Sequence, residues 1–232
     1  MAKAPYRLPR NWQKYAAKGS TSSIPWLADF YAQMPTDPAQ TIGQTRFVAM
    51  DFETTGLDAA RCSIVSVGLV PFSWQRIYCR QAKHFLIQPE QPLTSESVVI
   101  HGITHSDLAQ APTMTQMLPK LLGYLRGYIP VVHYRQIERD FLWHACQQQT
   151  GEALLFPLID TMHLEHELQR TRRFWPGTRG ESLRLADCRT RYHLPHYPLH
   201  NALSDALATA ELLQAQLQHH FMEGTPISKL WC

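Results

Sequence analysis

Asp51 and Glu53 stand two residues apart at the end of an apolar run, Phe47-Val48-Ala49-Met50. Side chains alternate along a strand, so both carboxylates leave one face and Phe52 leaves the other. Two close carboxylates repel and raise each other's pKa unless a cation sits between them. Magnesium and manganese ions prefer such hard oxygen ligands. An Asp-x-Glu triplet alone is as readily a solvated loop start, so a metal site needs further acids from distant segments. Two segments offer them: Glu138 or Asp140 in the middle of the chain, and Asp205, which follows His200 by five positions. An imidazole, which ordinarily titrates near neutrality, suits a general base that removes a proton from water.

These groups can meet only if the elements carrying them converge. Phe47 to Met50, bounded by Gly56, reads as a buried strand. Ser63–Val70 and Arg76–Ile87 read as two more strands, with Pro71-Phe72-Ser73 turning between them, and such short connections favour antiparallel neighbours. A short helix is expected within residues 92–101 and a longer one over Thr113–Arg126, despite Pro119. Ile129–Val132 and Leu154–Ile159 read as the fourth and fifth strands. Helices are expected over Arg135–Gln149, Asp160–Arg170, Ser182–Tyr192 and Asn201–His220. Three early strands followed by alternating strands and helices predict an α/β fold, a five-stranded mixed sheet with helices on both faces.

Asp51-Phe52-Glu53-Thr54-Thr55-Gly56 resembles the D-x-E-T-T-G motif of the DEDDh (DnaQ-like) exonucleases, the family of polymerase proofreading subunits. His200-Asn201-Ala202-Leu203-Ser204-Asp205-Ala206-Leu207-Ala208-Thr209-Ala210 is similar to that family's H-x-A-x-x-D-A-x-x-T-A. The small residues Ala202, Ala206 and Ala210 would let Asp205 approach the sheet. Asn201 stands where a tyrosine would mark the sister subgroup, so the histidine variant is indicated. Between them, His133 to Leu142 resembles H-N-A-x-F-D-x-x-F-L, with Tyr134-Arg135 replacing N-A and Glu138 on the acidic position. Helix phase agrees: Ile137, Phe141, Leu142 and Ala145 form an apolar face with Glu138 near its centre, whereas Asp140 lies roughly 160° away. The plain alternative is an ion pair of Glu138 with Arg135.

The resemblance, spanning about Phe47 to Leu217, implies the ribonuclease-H-like architecture and a 3′–5′ exonuclease. It implies two Mg²⁺ or Mn²⁺ ions held by Asp51, Glu53, Glu138 and Asp205, with His200 as the base, and nucleoside 5′-monophosphate products. Phe52, Thr54, Thr55, Gly56, Leu57 and His101 would contact the substrate, a single-stranded 3′ end, DNA by preference. A DNA polymerase subunit is the protein partner that the resemblance suggests. The competing expectations are an RNA or oligoribonucleotide exonuclease, and a weakly active module that binds nucleic acid or a polymerase.

A 232-residue chain with 44% hydrophobic residues can bury one ordinary core, and a formal charge of +3 permits a nucleic-acid partner without demanding one. Residues 1–44 are expected as a helical extension, 45–221 as the exonuclease domain and 222–232 as a tail. Five scattered cysteines without a Cys-x-x-Cys pair, no leader pattern and no long apolar run suggest a cytoplasmic protein away from membranes. His193, His196 and His200 loosely echo zinc-ligand spacing, but Pro195 and Pro198 break any helix that would align them. Arg170, Arg172, Arg173, Arg179, Arg184, Arg189 and Arg191, interleaved with Phe174 and Trp175, suit a single strand or a solvated loop.

Overall fold

The computed structural model describes residues 4–91, 93, 98–99, 101–171, 181–198 and 200–232. Its five strands are β1 (Phe47–Thr54), β2 (Ile64–Phe72), β3 (Lys83–Leu86), β4 (Ile129–Val132) and β5 (Ile159–Asp160). They form one sheet in the order β3-β2-β1-β4-β5. β1 runs antiparallel to β2 and parallel to β4, placing Asp51 opposite Gly68 and Glu53 opposite Ser66. The mixed ribonuclease-H-like sheet expected from the sequence is therefore present.

Among the described residues, the helices of seven or more residues are α1 (Trp12–Gly19), α2 (Pro25–Ala32), α3 (Met114–Leu125), α4 (Gln136–Thr150), α5 (Thr161–Thr171), α6 (Leu185–Arg191) and α7 (Ala202–His220). Alternation along β1 divides the core. Phe47 and Ala49, with Val70, Phe72, Ile129 and Val131, face Ala206, Ala210, Leu213 and Leu217 of α7. Val48, Met50 and Phe52 face the other way, onto Leu118, Leu121 and Leu122 of α3 and Phe141 and Leu142 of α4. Leu27, Phe30 and Tyr31 of α2 belong to that second core. Asp51 and Glu53 share the parity of Phe47 and Ala49, so both carboxylates project toward α7.

Two strands are shorter than the sequence suggests. The run Leu154–Leu158 is buried, but only Ile159 and Asp160 pair, with Val131 and Val132. An apolar run reports burial rather than pairing, and Pro157 has no N–H to give a ladder. Residues 76–82 form a turn with one isolated bridge, Phe72 to Ile77, before β3 begins at Lys83. The helix expected within residues 92–101 lies partly outside the described residues; Val98, Val99 and His101 are helical.

Candidate active site

Asp51 and Glu53 of β1 and Asp205 of α7 each offer a carboxylate oxygen, and these three atoms lie within 4.8 Å of one another. What permits the approach is Gly68. A Cβ there would lie 2.1 Å from the Ala202 carbonyl oxygen and 2.6 Å from the Leu203 nitrogen. The first turn of α7 thus rests on bare backbone in the row that contains Asp51. Sequence reasoning passed over this residue, although a lone glycine inside a β-branched strand signals close backbone contact. The Asn201 side chain accepts the Ser204 N–H (3.1 Å) and so starts the helix. His200, in the left-handed region at φ +67°, donates its backbone N–H to Asp205 Oδ2 (2.9 Å).

Glu138 enters from α4, outside that 4.8 Å group but near enough for its charge to act on Asp51. It is 3% exposed, and its Oε2 has no hydrogen-bond partner among the described residues. The Arg135 alternative is not realised, since that guanidinium goes to Asp160 (3.3 Å). Asp140 points elsewhere and accepts the Tyr6 hydroxyl at 2.5 Å. Asp160, read from the sequence only as a helix start, holds this corner together. Its carboxylate accepts the backbone N–H groups of Tyr134 and Arg135 before α4, and of Met162 and His163 in α5. One side chain thereby serves the exposed amides of two helix starts. Tyr134 adopts φ +86°, where a bulky side chain is strained. His133 is bound by Thr161 Oγ1 (2.8 Å) and the Leu183 carbonyl (2.9 Å), so it fixes the loop rather than facing the acids.

Electrostatically the site is over-supplied with negative charge. Burial, then the charges of Glu138, Asp205 and Glu53, pushes Asp51 well above the ordinary carboxylate range. Burial and the Asp205 charge push Glu53 up to about 7. Glu138 is raised by burial and by Asp160. Asp205 is raised by burial, even though the His200 N–H bond opposes this, and its Oδ1 is buried without a partner among the described residues. Repelling carboxylates with unfilled lone pairs are the complement of a small multivalent cation.

The remaining predicted contacts surround this cluster unevenly. Thr54 Oγ1 donates to the Gly56 carbonyl (2.7 Å), and Thr55 exchanges bonds with Ser63, closing the turn after β1. Leu57 at its tip is 84% exposed, whereas the Phe52 side chain is in the core and can offer only its backbone. His101 accepts the Ile103 N–H at Nδ1, and burial and the His200 charge lower its pKa. His193, His196 and His200 form no ligand group among the described residues. Arg189 pairs with Glu211 (2.7 Å) and Arg191 with Glu165 (3.0 Å), so these two arginines brace the fold. Arg172, Arg173, Phe174, Trp175 and Arg179 lie outside the described residues.

Carboxylates gathered beside the central strand of a ribonuclease-H-like sheet define the nuclease class. The chain belongs to the RNase_T exonuclease family, which matches residues 48–213, and the DEDDh resemblance holds. It is 32% identical over 172 residues to a PolC-type DNA polymerase III of Thermotoga maritima, covering 74% of this chain but only 12% of that relative. It is 25% identical over 174 residues to the DNA polymerase III subunit epsilon of Treponema pallidum, covering 75% and 77% of the two chains. Among solved structures it is similar to the nuclease domain of 3′hExo, a DEDDh family member bound to rAMP. That likeness has TM-score 0.63 and 16% identity, covering 75% of this chain and 92% of that one. Exonuclease X in complex with 5′ overhanging duplex DNA gives TM-score 0.59 and 23% identity, covering 80% and 98%. No helix among the described residues is long and apolar enough to cross a membrane.

Proposed function

We propose that the protein is a metal-dependent 3′–5′ exonuclease that removes nucleoside 5′-monophosphates from a single-stranded 3′ end, DNA by preference. The observation that carries this reading is the convergence of Asp51, Glu53 and Asp205 oxygens within 4.8 Å, drawn from β1 and α7. Glu138 completes the set, and the buried unpartnered oxygens of Glu138 and Asp205 fit a cation-holding role. Asp51, Glu53, Glu138 and Asp205 would hold two Mg²⁺ or Mn²⁺ ions. Such ions, when bound, neutralise the scissile phosphate and stabilise charge on the attacking and leaving oxygens. His200 takes the proton of the attacking water. The water oxygen bonds to phosphorus, the bond to the 3′ oxygen breaks, and that oxygen takes a proton from solvent to become the 3′ hydroxyl of the shortened strand.

The turn Thr54–Leu57, which follows β1 directly, and His101, near enough to His200 for its charge to act, serve as the contacts for the terminal nucleotide. Relatives that are polymerase III proteins support a polymerase subunit as partner, and neighbours solved with DNA and with rAMP leave either sugar as substrate. The second reading, a weakly active binding module, draws on the position of Glu138 outside the tight group and on the strain at Tyr134. A 3′-labelled single strand incubated with Mn²⁺, and in parallel with chelator, separates the two. Metal-dependent release of mononucleotides that His200→Ala abolishes is expected; strand binding with no release sinks the exonuclease reading.

A further inference from the structure

On the sheet face opposite the carboxylates, a groove of about 370 Å³ runs between the C-terminal end of α3 and strands β1, β2 and the edge strand β3. Val48 and Leu69 form its floor, and Arg80, Lys83 and Arg126 stand on its walls with Tyr124 and Tyr128. No acid lines it. Arg126 is paired with Asp29. Arg80 and Lys83 are exposed, and neither has an ion-pair partner among the described residues. Arg46 lies 4.3 Å above the Tyr128 ring and donates to its hydroxyl, adding a further cation beside the groove. Tyr124 is 43% exposed and leans on Phe85 at 5.4 Å, which holds one ring face toward solvent.

Cations beside the exposed Tyr124 ring match a single strand, because phosphates pair with the cations while a base stacks on the ring. An acidic peptide would use the cations and leave the exposed Tyr124 ring without a stacking partner. Register links this groove to the carboxylates: Asp51, Gly68 and His84 lie in one row, and Met50, Leu69 and Lys83 in the next. Two strand spacings, about 10 Å, separate Asp51 from the edge strand β3. His84 and Lys83 leave opposite faces of that edge. A strand that crosses β3 therefore passes from the carboxylate face into the groove.

We propose that this groove is a second nucleic-acid site, which grips the substrate strand several nucleotides upstream of the 3′ end lodged at Asp51, Glu53 and Asp205. It rests on the exonuclease reading and adds a length-dependent hold that the carboxylate site lacks. The test is fluorescence anisotropy in chelator, so that nothing is cut, with thymidine oligonucleotides of four and twenty residues. For the full chain, the twenty-mer binds more tightly than the four-mer. The double variant R80E/K83E weakens the twenty-mer roughly tenfold or more and leaves the four-mer nearly unchanged. Its salt slope falls by about 1.4, the share of two phosphate contacts on a single strand.

Melting temperature checks the fold, and R80Q/K83Q carries the test if the charge reversal does not fold. Equal loss for both lengths, no loss for either, or competition by polyglutamate as strong as by the twenty-mer at equal charge overturns the proposal. Hydrolysis of a p-nitrophenyl ester of thymidine 5′-monophosphate by the unaltered protein with Mn²⁺ tests the catalytic reading separately. A protein that binds by length yet leaves the ester intact keeps the groove and loses the chemistry.

Discussion

The two halves of the acidic site are built differently. On the β1–α7 side, backbone meets backbone: Gly68 lets the first turn of α7 touch the sheet, and Asp205 is placed by a contact no side chain can adjust. On the α4 side, Glu138 stands at the end of a relay in which Asp160 holds the amides of Tyr134 and Arg135. The first half is tight by steric necessity. The second is held by hydrogen bonds and includes a strained residue, so it tolerates change and depends on its neighbours.

That contrast can be broken first at the carboxylates. Asp205→Asn is expected to lower metal-dependent nuclease activity by two orders of magnitude or more, since metal-borne charge stabilisation amounts to several kcal/mol. Glu138→Gln should cost less. Mononucleotide release under identical Mn²⁺ compares them, and equal losses would show that the halves are not distinct. Next comes Gly68→Val, whose added side chain meets the backbone of Ala202 and Leu203. It should destabilise by about 3 kcal/mol in urea unfolding and displace Asp205.

Acid titration sharpens the electrostatic side of the comparison. Glu53 is raised from 4.5 to about 7. The folded state therefore holds a proton that the unfolded chain has released in this window, and stability falls as pH rises between these values. The loss from this group is on the order of 3 kcal/mol. Thermal melts of the metal-free protein should show it, with Mn²⁺ flattening the slope; a melt that rises through this window would contradict the geometry. Asp160→Asn should cost about 1–2 kcal/mol through weakened helix starts and reduce activity through Glu138 while leaving the β1–α7 half intact. The smallest effect is expected from Tyr134→Asn, which should stabilise by about 1 kcal/mol, because asparagine accepts the left-handed backbone more readily.

Legibility in the sequence follows the same division. Asp51, Glu53 and Asp205 could be read because strand alternation and a motif with fixed offsets encode them locally. The choice of Glu138 over Asp140 followed from helix phase, and the Tyr6 hydrogen bond to Asp140 agrees with it. Gly68 and Asp160 were missed because their effects are tertiary: one shows only when α7 is laid on β2, the other when two helix starts meet. The short β5 escaped for a related reason, since Leu154–Leu158 is buried without being paired. Arg189 and Arg191 stood open between strand contact and solvated loop, and neither reading foresaw Glu211 and Glu165 coming beside them through space.

The place of α2 in the core bears on how the protein can be shortened. The family match begins at residue 48, yet Leu27, Phe30 and Tyr31 pack into the core beneath β1, and the Tyr31 hydroxyl donates to the Ala153 carbonyl (3.1 Å). Trimming to the matched stretch would strip hydrophobic cover from α3, which belongs to the core beneath the strand that carries both leading acids. The stretch matched by the family and the packed core therefore start at different residues.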